Sequence, residues 1–450
     1  MPHVKTAKTA APGPVTLVAT GCGTAIACVC ALDLGELERR LGGLWSVLAV
    51  AVAALLCAAL ARALGRLSTV VPSGAGLMAF LSRGLGRRVG LMLMLPYVAL
   101  VMALVAVEAR IVGAVSARLL PISPTVGALV FLVWTWAIAR SGLRPGLRAQ
   151  AVATGVLMIG FSLLALAGVI GAAHRPDFAV HILPAAPSPL ALLGGIGQAL
   201  FLFMGFELVT NQVELVRAPG AIGSALSRSV RLLTVFYALM ALAFSTINIG
   251  DPQRVPIPPR DGLRQAELAS AHAIVLPPPG SGADGDWLTP QLGLGAAAGS
   301  PIGAAAIGLL CMLASFTSFN GALLTLSRLV YALAAQGMLP RRLARMDAKR
   351  MVPPDALAAL LAAAVALTFL LSTRALINAV LAGAAGVAGL VWAAAVTVRE
   401  RPPFVEPDRP RRHRVAALAV AALFVVFGCG AIVECLNPPA PVLAEVVHAH

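Results

Sequence analysis

The chain has 450 residues, of which 59% are hydrophobic and only 12% are charged, and its mean hydropathy is +0.89. These values exclude a water-soluble globular protein and indicate a membrane protein. The formal net charge of +15 does not indicate nucleic-acid binding, because the basic residues are concentrated in alternate loops between apolar segments.

Apolar stretches long enough to cross a bilayer recur along the chain. A hydrocarbon core about 30 Å thick requires about 20 apolar residues of helix, so the sequence predicts an all-α polytopic membrane protein with about eleven transmembrane helices. In chain order, the predicted spans are Val15–Leu34, Leu44–Leu64, Val89–Leu119, Thr125–Ala139, Ala151–Ala172, Leu190–Val216, Val230–Ile249, Ile302–Leu333, Ala356–Leu371, Ala375–Val398 and Val415–Val433.

The loops rich in Lys and Arg set the expected orientation. They alternate along the chain, from Lys5 and Lys8 before span one to the segment 399–414 after span ten. The positive-inside rule places these loops and the N-terminus in the cytoplasm. With an odd number of spans, the C-terminus is expected outside. The predicted location is the plasma membrane, such as a bacterial inner membrane.

A five-plus-five repeat would place spans one to five in one half and spans six to ten in the other, with span eleven outside both. The predicted parts are a cytoplasmic tail (1–14), a first five-helix repeat (15–172), a second repeat (190–398) with an extracellular loop (250–300), a cytoplasmic connector (399–414), an additional helix (415–434) and an extracytoplasmic tail (435–450).

Glycines and other small residues interrupt spans one and six, which occupy equivalent positions in such a repeat. Unwound backbone near mid-membrane offers free N–H and C=O groups for a substrate, although glycine also serves simple helix packing. The small residues of span one are Gly21, Cys22, Gly23, Thr24, Ala25, Ile26 and Ala27, and the glycines of span six are Gly194, Gly195, Gly197 and Gly205.

Glu207 lies near the middle of span six. Burying a carboxylate in hydrocarbon costs at least a few kcal/mol, so Glu207 is a candidate functional group. The alternative is a structural hydrogen bond to a neighbouring helix. Glu108 and Arg110 in span three are weaker candidates, because they lie towards the outer end, where snorkelling accounts for them.

Several motifs resemble those of amino acid permeases in the amino acid, polyamine and organocation superfamily. The resemblance extends from about Val15 to Val433. The motifs are the eighth-helix signature (Ser315–Gly321 and Ser327–Pro340), the entry to helix nine (Val352–Ala356), the turn after helix two (Pro72–Gly76, Leu85 and Gly86), and Gly205–Glu207 followed by Glu214, Arg217, Pro219 and Ala225.

The resemblance implies a five-plus-five inverted repeat, in which a substrate binds between broken helices one and six, against helices three and eight. In the family, the acid that matches Glu207 is implicated in proton-linked gating, and an aromatic residue at the position of Phe201 closes over the substrate. Gly205, Phe206 and Ser318 complete the expected binding set, together with the small residues of span one. Two placements of the span-one break remain open: Gly21–Gly23 matches the family's Gly-small-Gly pattern, whereas Ala25–Ala27 better fits the spacing from Val15.

The function expected from these features is secondary active transport of an amino acid or related small amine by alternating access, coupled to protons or as an exchanger. The alternative is a membrane sensor or accessory subunit that keeps the permease fold without turnover. An enzyme is disfavoured, because no span carries a Cys/His or His/Asp constellation. No cofactor and no metal are expected; the expected partners are the substrate, protons and the bilayer, and a homodimer is left open.

Overall fold

The computed structural model describes residues 12–174, 182–218, 220–246 and 301–370. The α-helices in these ranges are α1 (Pro14–Ala25), α2 (Cys28–Leu41), α3 (Gly43–Val70), α4 (Leu77–Leu85), α5 (Arg87–Leu119), α6 (Pro124–Ser141), α7 (Leu143–Ala173), α8 (Pro189–Leu202), α9 (Gly220–Thr246), α10 (Pro301–Ala335) and α11 (Pro354–Leu370). Two 3-10 helices accompany them, Phe206–Leu215 and Arg341–Ala344.

The all-α polytopic class is confirmed. Each of the predicted spans one to nine corresponds to described helix, with span one formed by α1 and α2 and span six by α8 and the 3-10 helix that follows it. Spans ten and eleven, the loop 250–300 and the connector 399–414 lie outside the described residues.

Two predicted span limits are wrong at their N-terminal ends. Span five begins at Leu143 rather than Ala151, and span seven begins at Gly220 rather than Val230. Hydropathy marks the first charge as the end of an apolar run, but a helix continues through basic residues into the polar interface.

Burial differs between the helices. In the spans Tyr97–Ala117, Pro189–Leu215 and Ala306–Ala335, 78% of the most apolar window is buried, compared with 22% in α7. The exposed residues Val152, Val156, Ile159 and Leu163 form one stripe along α7 at helical spacing. Spans three, six and eight therefore form the interior of the helix bundle, and the exposed stripe of α7 faces away from that interior.

A close glycine contact joins α3 to α9. A Cβ atom added at Gly65 would lie 2.6 Å from the Cα of Gly223, and one added at Gly223 would lie 3.1 Å from the Cα of Gly65. Small residues allow helix backbones to approach closely where hydrophobic association between helices is weak. This contact fixes the packing of span two against span seven.

Candidate substrate-binding site

Helix one is broken at Ile26 and Ala27. α1 ends at Ala25, α2 begins at Cys28, and their axes differ by 60°. Ile26 and Ala27 have extended backbone angles (φ −84° and −102°) that any residue adopts, so the break does not require glycine. Of the two placements that the sequence left open, the structure therefore has the one at Ala25–Ala27.

Gly21, Cys22 and Gly23 lie within helix α1, where the two glycines make close packing contacts. A Cβ atom at Gly21 would lie 2.5 Å from the Ser229 hydroxyl of α9. One at Gly23 would overlap the side chains of Thr154 and Gln150 on α7. The packing role that glycine has in membrane helices accounts for both.

Helix six is broken at Gly205. α8 ends at Leu202, and the 3-10 helix begins at Phe206. Gly205 has φ +111°, a conformation that favours glycine. A Cβ atom there would lie 2.7 Å from the carbonyl oxygen of Thr24. Only glycine therefore allows the break of helix six to approach the end of α1.

The Glu207 side chain is buried beside this break, with 6% of its surface exposed. Its Oε1 accepts a hydrogen bond of 2.6 Å from the Tyr97 hydroxyl on α5, and its Oε2 accepts one of 2.9 Å from the backbone N–H of Gly205. Glu207 thus stabilises the turn of helix six and joins it to span three. Nothing in the sequence spacing marked Tyr97 as its partner.

Glu108 is fully buried, so the prediction that it snorkels to the outer surface is wrong. Its carboxylate accepts hydrogen bonds from the backbone N–H groups of Cys28 (2.9 Å) and Val29 (2.8 Å), and from the hydroxyl of Ser315 on α10. A carboxylate at a helix N-terminus is stabilised by free N–H groups and the helix dipole. Glu108 therefore caps α2 from span three.

Arg110 also departs from the snorkelling interpretation. It is only partly buried, but its guanidinium donates hydrogen bonds of 2.8 Å and 2.5 Å to the carbonyl oxygen of Thr368 on α11. It therefore joins span three to span nine.

A small cavity of about 20 Å³ lies next to the break of helix one. Its lining includes Ile26, Ala27, Cys30, Phe161, Phe236 and Tyr237. The Tyr237 hydroxyl donates a 3.0 Å hydrogen bond to the carbonyl oxygen of Ala25 and so holds α9 against the break. A cavity of this size holds about one water molecule, so the chain packs closely around the break and the site is closed in this structure.

The remaining predicted binding residues are buried near the two breaks. Phe201 and Phe206 lie on either side of the break in helix six and are outside the cavity lining. Ser318 is buried on α10, and the Thr24 hydroxyl donates to the carbonyl oxygen of Thr20. The roles of these residues in binding stay predictions.

A chain of amide groups joins α7 to α10. Asn320 Nδ2 donates to Gln150 Oε1 (2.8 Å), and Gln150 Nε2 donates to the carbonyl oxygen of Thr317 (2.9 Å). All three residues are fully buried. Sequence reasoning missed this cluster because Gln150 lies before the predicted start of span five.

A second polar pair lies between α2 and α8. Gln198 Nε2 donates a 2.8 Å hydrogen bond to Asp33 Oδ1. Within the described part of the chain, Asp33 Oδ2 and Gln198 Oε1 are buried acceptors without a hydrogen-bond partner. Such atoms are rare in native structures and call for an explanation.

Solved structures with the same fold are transporters of different substrates. One is a manganese transporter of Eremococcus coleocola, in complex with an aromatic bis-isothiourea substituted compound (15% identity, TM-score 0.59, 97% of this chain and 89% of that chain covered). Another is a Na+-coupled sialic acid symporter in a substrate-bound outward-open state (10%, 0.61, 97% and 90%). A third is a nucleobase-cation-symport-1 family transporter with bromovinylhydantoin bound (13%, 0.56, 96% and 94%). At these identities the likeness shows the fold alone.

The sequence comparison is more specific. No curated protein sequence matches the chain. The family model for amino acid permeases matches residues 17–435, which is nearly the whole chain and includes both helix breaks, Glu108 and Glu207. The protein is therefore a multi-pass membrane protein of the secondary-transporter class, and it belongs to the amino acid permease family.

Proposed function

We propose that the protein moves an amino acid or a related small amine across the plasma membrane by alternating access. The observation that carries this proposal is the contact between the two helix breaks, where Gly205 approaches the carbonyl of Thr24 beside the cavity. Broken helices that meet in the membrane offer backbone groups to a substrate, and rocking of the two halves around such a site exposes it to either side.

We propose that Glu207 couples this movement to protons. Its carboxylate is held by a hydroxyl from span three and by the backbone of the helix-six break. A proton on Glu207 would reverse its bond to Tyr97, with the carboxyl O–H donating to the hydroxyl oxygen, or would weaken its bond to the Gly205 N–H, and it would remove the charge that strengthens both. Protonation and the geometry of the break are thereby linked.

Reconstituted proteoliposomes test both parts of the proposal. Wild-type protein is expected to take up labelled amino acids or amines, with a rate that depends on an imposed pH gradient. Glu207→Gln is expected to keep substrate binding and exchange but to lose the pH dependence. The matched control is Asp355→Asn, a partly exposed carboxylate in the first turn of α11, which should keep the wild-type pH profile.

Three results would contradict the proposal. Binding without counterflow of labelled substrate would favour the sensor or accessory subunit. Transport by the wild type that is independent of pH would remove the proton-coupling role, and so would a Glu207→Gln variant with an unchanged pH profile.

We also propose that the N-terminus and the basic loop after α10 face the cytoplasm, with repeats of 15–172 and 190–398. The support is the alternation of basic loops along the sequence. A reporter inserted near Arg345 should read as cytoplasmic and one after His450 as extracytoplasmic. A cytoplasmic reading after His450 would remove the eleven-span arrangement.

A further inference from the structure

Every backbone N–H from Ile26 to Cys30, at the break of helix one, already has a partner within the chain. Ile26 donates to the Cys22 carbonyl, Ala27 to that of Ala25, and Cys30 to that of Ala27. The N–H groups of Cys28 and Val29 both donate to Glu108. The backbone at the break of helix one therefore offers no spare donor, and the backbone groups that it can offer a substrate are carbonyl acceptors.

The position of Glu108 is the one that a ligand anion would otherwise take. The N-terminus of a half-helix at a membrane break combines free N–H groups with the positive end of a helix dipole, and it attracts anionic groups. Here the chain supplies the anionic group itself, and the Ser315 hydroxyl holds the carboxylate from the opposite side. A carboxylate on the substrate would have to displace Glu108 and would bury a second negative charge beside it.

The unsatisfied groups near the break are acceptors. Asp33 lies on α2, six residues beyond Ala27, or about 9 Å along the helix at 1.5 Å per residue. Its Oδ2 and the neighbouring Gln198 Oε1 are the buried acceptors described above. An ammonium group carries three N–H donors and no acceptor, so it suits such a pair.

The ionisable side chains that are buried around the breaks are acids, and the cations Arg40 and Arg110 nearby are only partly buried. Asp33, Glu108 and Glu207 are buried there, on spans one, three and six. Arg328, a buried cation within the described ranges, donates to the carbonyl oxygen of Met351 beyond the end of α10. A positively charged ligand would therefore be favoured at the breaks, and an anionic one disfavoured.

We infer that the substrate is a small organic cation, an amine without a carboxylate, because Glu108 occupies the amides that would bind a carboxylate and Asp33 with Gln198 leaves acceptors for an ammonium group. This inference narrows the proposed function and rests on it. Glu108 is then a specificity-determining residue.

Matched pairs of ligands test the inference on the full-length wild-type protein. The pairs are an amino acid and the amine made by removing its carboxylate: arginine and agmatine, lysine and cadaverine, histidine and histamine, tyrosine and tyramine. Binding is measured by thermal shift and by competition, and transport by counterflow in proteoliposomes. In at least one pair, the amine is expected to bind about tenfold or more tightly than the amino acid, the factor that corresponds to 1.4 kcal/mol.

The outcomes separate the inference from the proposed function. Equal or tighter binding of the amino acids in every pair that binds overturns the inference and leaves transport of amino acids standing. If no member of any pair binds or shows counterflow, both the inference and the proposed function are overturned.

Variants of Glu108 test whether its carboxylate causes the expected preference for the amine. Glu108→Ala frees the N–H groups of Cys28 and Val29, so the preference for the amine should fall by about tenfold or more. If that variant does not fold, Glu108→Gln gives the same test in weaker form, since an amide has one acceptor oxygen for the two N–H groups. Asp355→Asn, a partly exposed carboxylate in the first turn of α11, is the matched control and should keep the wild-type ratio. An unchanged ratio in the folded Glu108 variants overturns the assignment of specificity to Glu108.

Discussion

Replacing Glu207 by Gln and Tyr97 by Phe, singly and together, tests whether the Glu207 carboxylate joins span three to the break of helix six. The carboxylate has two donors on separate oxygens, the Tyr97 hydroxyl at 2.6 Å and the Gly205 N–H at 2.9 Å. In Glu207→Gln, the amide oxygen can keep the Gly205 N–H and the amide nitrogen can donate to the Tyr97 oxygen, so the charge-assisted bond to Tyr97 is replaced by a weaker neutral one. In Tyr97→Phe, the carboxylate loses the hydroxyl but keeps the backbone donor.

The magnitude follows from these contacts. A hydrogen bond to a charged group contributes about 1.5–3 kcal/mol, and a buried donor without a partner costs about 1–3 kcal/mol. Each single variant should therefore lose about 1–3 kcal/mol of unfolding free energy. In the double variant, the charge-assisted bond is already lost with the first substitution, so the second removes only a neutral hydrogen bond and should cost less. The expected coupling energy is about 1–2 kcal/mol.

The assay is reversible unfolding of the four proteins in mixed micelles, analysed as a double-mutant cycle. Tyr331→Phe, at a partly exposed position on α10, is the matched control for the loss of a tyrosine hydroxyl and should couple to Glu207→Gln by less than about 0.5 kcal/mol. Additive single effects at Tyr97 and Glu207 would refute the reasoning, because they would mean that the hydroxyl and the carboxylate act independently.

Three further predictions concern other parts of the molecule. Ala27→Leu should fill the cavity and abolish ligand binding in folded protein, and binding that survives this change would move the site away from the break. Gly23→Leu, by contrast, should lower the thermal stability, since overpacking costs about 1–3 kcal/mol. Gln150→Ala should cost about 2 kcal/mol of unfolding free energy, because it removes two hydrogen bonds between α7 and α10 of about 1 kcal/mol each. In the loop after α10, the backbone N–H of Arg350 and then that of Lys349 donate to Asp347 and hold the pKa of its carboxyl below its usual value. The stabilisation from this lowered pKa is complete above the unfolded-state pKa of about 3.9 and is lost as the pH falls through the folded-state pKa. Hydrogen exchange at the two amides should therefore stay slow at pH 4 in the wild type and become fast in Asp347→Ala.

The sequence by itself determined the class of the protein and much of its plan. Apolar runs reveal transmembrane helices because the bilayer sets their length and because every backbone polar group in hydrocarbon must pair within the span. The cost of a carboxylate in hydrocarbon likewise identified Glu207 as a residue with a partner, and the structure supplied that partner as Tyr97. Of the four glycines that the sequence offered for the break in helix six, Gly205 lies at the break with a positive φ, whereas Gly194, Gly195 and Gly197 lie within α8.

The tertiary structure alone decided the break in helix one and the role of Glu108. The break lies at Ile26 and Ala27, which no local propensity marks, and the glycines before it serve helix packing instead. It is stabilised by a carboxylate from span three, 80 residues away along the chain from Cys28. A helix end in hydrocarbon must find partners for its free N–H groups, and those partners can come from any helix that packs against it. Spacing within a span does not specify that neighbour, so only the packing of the helices shows that Glu108 fills the anion-binding end of α2.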